Sequence, residues 1–102
     1  MEKSKVISHL EEIVREGEIA RYTDADLRSF ANFIERAAGE LDVFGSMKHE
    51  MWQNARDLLV VLNGGETEAS RNILERDLFE DANSALRTLK KDQARLDEKE
   101  GT

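Results

Sequence analysis

Residues 67–100 read TEASRNILERDLFEDANSALRTLKKDQARLDEKE, and this stretch decides the fold. It contains neither proline nor glycine, and its apolar residues recur at the spacings of three and four that mark one face of an α-helix. Those residues are Ile73, Leu74, Leu78, Ala82, Ala85, Leu86, Leu89 and Leu96. Thr67 is a suitable N-cap, and no breaker follows before Gly101. The stretch therefore predicts a helical segment of about 33 residues, or about 50 Å.

Upstream of this segment, Asn63-Gly64-Gly65 is the strongest breaker in the sequence and ends a third helix over about residues 47–62. Ser46 is the candidate N-cap of that helix. The connection before it, residues 39–45, contains several apolar residues, so we expect it to pack over one end of the core.

The first two helices have clear boundary signals as well. Thr23 and Asp26 predict a shortened capping box at the start of the second helix, in which each side chain binds the other residue's backbone N–H. The first helix covers about residues 3–16, and Gly17 is its natural stop. The sequence thus predicts an all-α protein, a small bundle of four helices, or of five if the last segment breaks near Asn83-Ser84.

The last segment is about twice as long as its predicted partners, so no single partner can cover its whole apolar stripe. We therefore place the bundle at about residues 3–82 and a C-terminal helical extension at about 83–100. Six of its residues, all apolar except Gln93, follow a 3–4 repeat typical of a coiled-coil seam: Phe79, Ala82, Leu86, Leu89, Gln93 and Leu96. This seam predicts self-association, as a homodimer, although the first helix of the same chain is an alternative cover.

Composition restricts the function classes. The 102 residues suit a single domain, residues 1–102, and they carry a net charge of −7 with no cysteine. Basic residues are scattered among acidic ones rather than forming a stripe, so we expect no nucleic-acid or membrane partner. No apolar run approaches the length of a membrane span. We predict a cytoplasmic protein.

The sequence contains no recognisable catalytic apparatus. Its two histidines, His9 and His49, lack the spacing of a metal-binding helix. A phosphoacceptor role for His49 is an alternative, although the bulky residues after it would obstruct an incoming receiver domain. The pairs Asp77/Glu80 and Asp97/Glu100 lie on one segment and are typical of solvated helix faces. We predict no catalytic residue, no metal and no cofactor.

These observations favour a non-enzymatic protein that acts by protein–protein interaction, as a regulator, adaptor or inhibitor of a larger partner. Small acidic helical proteins of this kind are common among bacterial and phage accessory proteins. The candidate interface comprises the only tryptophan and the apolar seam of the last segment: Trp52, Phe79, Leu86, Leu89 and Leu96. The alternatives are a helical-bundle enzyme or phosphotransfer module, and an acidic mimic of nucleic acid.

Overall fold

A computed structural model describes the backbone of residues 1–100 and the side chains of residues 1–96. It contains four α-helices: α1 (Lys3–Ile19), α2 (Asp24–Glu40), α3 (Lys48–Leu62) and α4 (Arg71–Glu100). A short 3-10 turn, Gly45–Met47, leads into α3. No strand occurs in the described backbone. The predicted all-α bundle of four helices is confirmed.

Polar contacts between helix ends fix the directions of the four helices. They are Met1 with Glu40, Lys3 with Asp92, Asp24 with Arg71, and Arg28 with the carbonyl of Leu62. The start of α1 therefore lies near the end of α2 and late in α4, and the start of α2 lies near the end of α3 and the start of α4. The helices alternate in direction. The main packed pairs are α2 with α3, α1 with α4, and α3 with α4.

One apolar core runs through all four helices and includes Leu41 and Phe44 of the connection after α2, with Val43 packed against it. Its large, fully buried side chains come from every helix: Val6, Leu10, Ile13, Leu27, Ile34, Met51, Leu58, Leu74, Leu78 and Leu89. No polar or charged residue is buried among those whose side chains the structure describes. Burial of these side chains is the main favourable contribution to folding.

Two of the predicted helix boundaries are confirmed. The backbone N–H of Thr23 donates to Asp26 Oδ2 at 2.9 Å, and the N–H of Asp26 donates to Thr23 Oγ1 at 3.2 Å. This is the predicted capping box. At the end of α3, Gly64 has a φ of 90°, and the N–H groups of Gly64 and Gly65 bind carbonyls of the last turn. That arrangement is a Schellman motif, which only a left-handed residue such as glycine closes easily.

Three predicted boundaries are wrong. Gly17 does not stop α1, which continues to Ile19 and ends at Ala20, a left-handed residue with a φ of 58°. Ser46 lies inside the 3-10 turn, and α3 begins without any side-chain cap. Thr67 donates its hydroxyl to the carbonyl of Ala69, so it stabilises the loop rather than the helix. The helix α4 begins only at Arg71.

The fourth helix is unbroken, and both α1 and α3 pack along it. The ammonium of Lys3 binds Asp92 at 2.8 Å, so the start of α1 lies beside residue 92. Only residues 93–100 extend past that ion pair, about 12 Å at the usual rise of a helix. The packed bundle therefore reaches at least to Leu89, well beyond the predicted boundary at residue 82. Gly101 lies outside the described residues, as do the side chains of the Asp97/Glu100 pair.

Candidate interaction surface

The five residues predicted to form an interface do not share one surface. Leu86 and Leu89 are 8% and 1% exposed, because they pack into the core of their own chain. Leu96 is 41% exposed and lies beyond the start of α1. Trp52 lies on a different helix, α3, and is half-buried. Leu86 and Leu89 therefore do not form an open seam on the surface of α4, because they are buried within their own chain.

Phe79, the fifth residue, is also engaged within the chain. Its ring lies 5.0 Å from that of Tyr22 and 6.3 Å from that of Phe30, in tilted and edge-on arrangements that aromatic pairs favour. It packs on the backbone of α1 at Gly17, where an added Cβ would lie 2.5 Å from Phe79 Cδ1. Gly17 therefore permits close approach of α4, which explains why a glycine occurs inside α1.

An apolar depression that includes Trp52 lies between the end of α2 and the start of α3. Its volume is about 480 Å³. It is lined by the end of α2, the 3-10 turn and the first turns of α3: Ala38, Gly39, Gly45, Ser46, Lys48, His49 and Trp52. We call it the Trp52 groove. Volumes of this order are typical of ligand-binding clefts, which are mostly apolar with a few polar groups at the edge.

Gly39 lines the Trp52 groove and has open space beside it. It occupies the last turn of α2, where glycine is a poor choice because it loses more backbone freedom on folding than other residues do. A Cβ at this position would meet nothing within 4 Å. The bundle therefore has no packing requirement for glycine here, and any larger side chain would project into open space beside Ala38.

Cationic and aromatic side chains line the α3 side of the groove. The guanidinium of Arg56 lies 4.8 Å from the centre of the Trp52 ring, within the range of a cation–π contact. The ring of His49 is stacked beside the Trp52 ring, at 6.3 Å between centroids. Lys48, Trp52 and Arg56 are spaced by four residues, so they follow one flank of α3. Of these three residues only Trp52 was predicted to belong to an interface, although their regular spacing in the sequence also points to the two cations.

A separate, smaller depression of about 190 Å³ lies nearer the end of α3. It is lined by Glu35, Arg56, Leu59, Val60 and Asn63. Val60 is 42% exposed there. Arg56 therefore stands between two depressions that follow the same α2/α3 junction.

The opposite flank of α3 carries acidic rather than basic side chains. It carries Glu50 and Asp57, and Asn54 donates a hydrogen bond of 3.1 Å to Asp81 on α4. Burial raises the pKa of the Asp81 carboxyl, and the neighbouring carboxylates of Glu50 and α4 raise it further, while the bond from Asn54 acts against them. The two flanks of one helix therefore differ in the sign of their charge.

The structure offers no assembled centre for metal chemistry in the part of the chain it describes, since no three potential ligands cluster there. Among the described helices, none combines the length and apolarity needed to cross a bilayer. Comparison of the chain with models of known protein families, with characterised proteins and with solved structures finds no match.

Proposed function

We propose that the protein acts without catalysis, by binding another protein through the Trp52 groove, and that a partner inserts an apolar side chain there. The observation that carries this proposal is a half-buried tryptophan facing an apolar depression that Gly39 leaves open. Tryptophan and arginine are the residues most enriched at the energetic centres of protein interfaces. As a regulator, adaptor or inhibitor, the protein would act by occupying a surface of a larger partner.

The alternative functions receive less support. His49 is exposed, but its ring is stacked beside the bulky Trp52, where a receiver domain would have to approach. Mimicry of nucleic acid needs a dense acidic face, whereas ion pairs place arginines and lysines among the acids of every helix. Self-association through α4 stays a prediction, and of the apolar residues in the predicted seam Leu96 is the one that is exposed.

The test is whether closing the groove abolishes binding. Gly39→Phe places a ring in the open space, and Gly39→Ala is the matched control because it changes the same position without filling the groove. The tagged proteins are incubated with an extract of the source cells, and the retained partner is identified and titrated against each purified variant. We expect wild type and Gly39→Ala to bind alike, and Gly39→Phe and Trp52→Ala to bind at least about 10-fold more weakly.

Circular dichroism and thermal melting establish that each variant is folded before it is titrated. A partner that binds Gly39→Phe and Trp52→Ala as tightly as wild type would show that the groove is not the contact surface. Failure of the wild-type protein to retain any partner at physiological salt would contradict the proposed function itself.

A further inference from the structure

We propose that the segment bound in the Trp52 groove carries an apolar anchor with a carboxylate on each side of it, each about 6 Å from the anchor along the segment. This inference rests on the proposed function, because it specifies the chemistry of the partner at the same site. It follows from the arrangement of charge around the groove.

The two cations lie symmetrically about the tryptophan. Lys48 is four residues before Trp52 and Arg56 is four residues after it, so their Cα atoms are each about 6 Å from that of Trp52 along the axis of α3, and the guanidinium of Arg56 reaches to 4.8 Å from the centre of the Trp52 ring. A partner that places an apolar side chain against Trp52 therefore meets a positive charge on either side. The same distance separates residues four apart in a helix, or two apart in an extended strand, so both backbone forms can present the motif.

A basic flank is unusual in this molecule, whose net charge is −7. The opposite flank of α3 carries Glu50 and Asp57, and α4 adds Asp81 beside it. Among the side chains of α3 itself, those on the Trp52 flank favour a segment bearing carboxylates, and those on the opposite flank repel it. Charge complementarity of this kind contributes to specificity and to the rate of association.

Lys48 and Arg56 each form only a weak ion pair with a carboxylate of their own chain. Lys48 Nζ lies 3.5 Å from Asp42, whose carboxylate is fully exposed, and Arg56 lies 3.9 Å from Glu35. Ion pairs at these distances on the surface contribute little to stability. Exchanging Asp42 or Glu35 for a partner's carboxylate therefore costs little, and the cations are available for binding.

The apolar half of the motif matches the floor of the groove. Ala38 and Gly39 provide no side chain larger than a methyl group, so the depression beside Trp52 accepts a side chain of the partner. An apolar residue removed from water there supplies affinity, at roughly 25 cal/mol per Å² of buried surface. The flanking carboxylates then fix its register.

The test uses synthetic peptides with a central leucine flanked by two glutamates, four positions away in a helix-forming peptide or two positions away in an extended one. Matched peptides carry glutamine or lysine in place of glutamate. Binding is followed through the fluorescence of Trp52, the only tryptophan of the chain, and by calorimetry. We expect at least one glutamate peptide to bind at least 10-fold more tightly than its glutamine counterpart, with a difference that shrinks as salt is added.

A charge swap provides the decisive comparison. The double variant Lys48→Glu/Arg56→Glu should lose affinity for the glutamate peptide by at least about 10-fold and gain affinity for the lysine peptide. Arg15→Glu, which reverses one charge on the exposed face of α1, should change neither. Recovery of binding by swapped charges identifies a direct interaction, which a merely misfolded variant could not produce.

Two results would overturn the inference. One is equal binding of the glutamate and glutamine peptides, and the other is no binding of any glutamate peptide up to about 1 mM, the weak end of specific affinity. The proposed function has a separate readout. A natural partner that is lost with Gly39→Phe but retained by the Lys48→Glu/Arg56→Glu variant would leave the groove in use and remove only the acidic motif.

Discussion

Two helical glycines, Gly17 in α1 and Gly39 in α2, have opposite surroundings. The ring of Phe79 occupies the space where a Cβ of Gly17 would lie, whereas a Cβ of Gly39 would meet nothing within 4 Å. Both residues weaken their helices, since glycine is a poor helix former. The first makes room for a contact within the chain, and the second leaves room that the chain itself does not use.

The same difference distinguishes the two helix junctions. At the α1/α4 junction, Lys3 binds Asp92 and the apolar stripe of α4 is buried as far as Leu89. At the α2/α3 junction, the Trp52 groove remains open beside a core that is otherwise complete. A long unmatched stripe in a sequence therefore does not by itself mark an interface, because a helix distant in sequence can cover it.

The largest expected effect on the free energy of unfolding is at the α1/α4 junction. Leu89→Glu places a charge at a site that is 1% exposed, so we expect the free energy of unfolding to fall by at least about 3 kcal/mol. Leu96→Glu is the matched control on the same helix, 41% exposed, and should change stability by no more than about 0.5 kcal/mol. Urea denaturation measures both. Equal effects would mean that α1 does not close the stripe.

Gly17→Ala should destabilise the protein by about 1–3 kcal/mol, the usual cost of overpacking, because the new methyl group collides with the ring of Phe79. Phe79→Leu removes the ring, so Gly17→Ala should destabilise the Phe79→Leu protein less than it destabilises the wild type. Thermal or urea unfolding of the four proteins gives the coupling energy. Strict additivity would show that the two residues are not in contact.

Gly39→Ala should act in the opposite direction and raise the free energy of unfolding by about 0.4–1 kcal/mol, because alanine restricts the unfolded chain and fits the helical backbone without strain. The measurement is the same urea titration, with Gly17→Ala as the comparison. A destabilised Gly39→Ala protein would mean that the space beside Ala38 is filled in solution.

The smallest effect concerns the acidic flank of α3. The pKa of Asp81 is raised in the folded protein, so the folded state retains its proton to higher pH than the unfolded chain does. Stability linked to Asp81 is therefore fully present below the unfolded value, near 3.8, and is lost as pH rises through the folded pKa. Asp81→Asn should stabilise the protein at neutral pH by about 0.5 kcal/mol or less.

The variant should also differ from wild type in how its stability changes between about pH 4 and pH 7, which a series of urea titrations would measure. Asp24 and Asp92 do not contribute to the pH dependence of stability in this range. Their arginine and lysine partners lower the pKa of each carboxyl, so the stability they contribute is present above the unfolded value and is lost only at more acidic pH. An unchanged pH profile would mean that Asp81 is not desolvated.

The sequence was sufficient for features that depend on neighbours along the chain. The apolar spacing of α4, the capping box at Thr23 and the glycine turn after Asn63 are all set within four or five residues. The role of Gly17 was not predictable in this way, because it depends on Phe79, a residue 62 positions later. Ser46 and Thr67 are suitable caps, but the turn and the loop around them use these residues otherwise.

The candidate site was partly accessible to sequence analysis. Trp52 stands out as the only tryptophan, and the regular spacing of Lys48 and Arg56 around it can be read from the sequence. The open space at Gly39 cannot be predicted from the sequence, because it depends on the distance between the backbone of α3 and the end of α2. Leu86 and Leu89 were misassigned for the same reason, since the partner that buries them begins near Lys3.

The contact between Lys3 and Asp92 joins residues 89 positions apart, and this has a consequence for folding on the ribosome. The neighbouring helices α2 and α3 can pair as soon as both are made, but α1 must wait for the end of α4. At synthesis rates of 5–20 residues per second, the 73 residues from Ile19 to Asp92 take roughly 4–15 s. During that interval the nascent chain carries Val6, Leu10 and Ile13 without their final cover, so its aggregation risk is concentrated in its first helix.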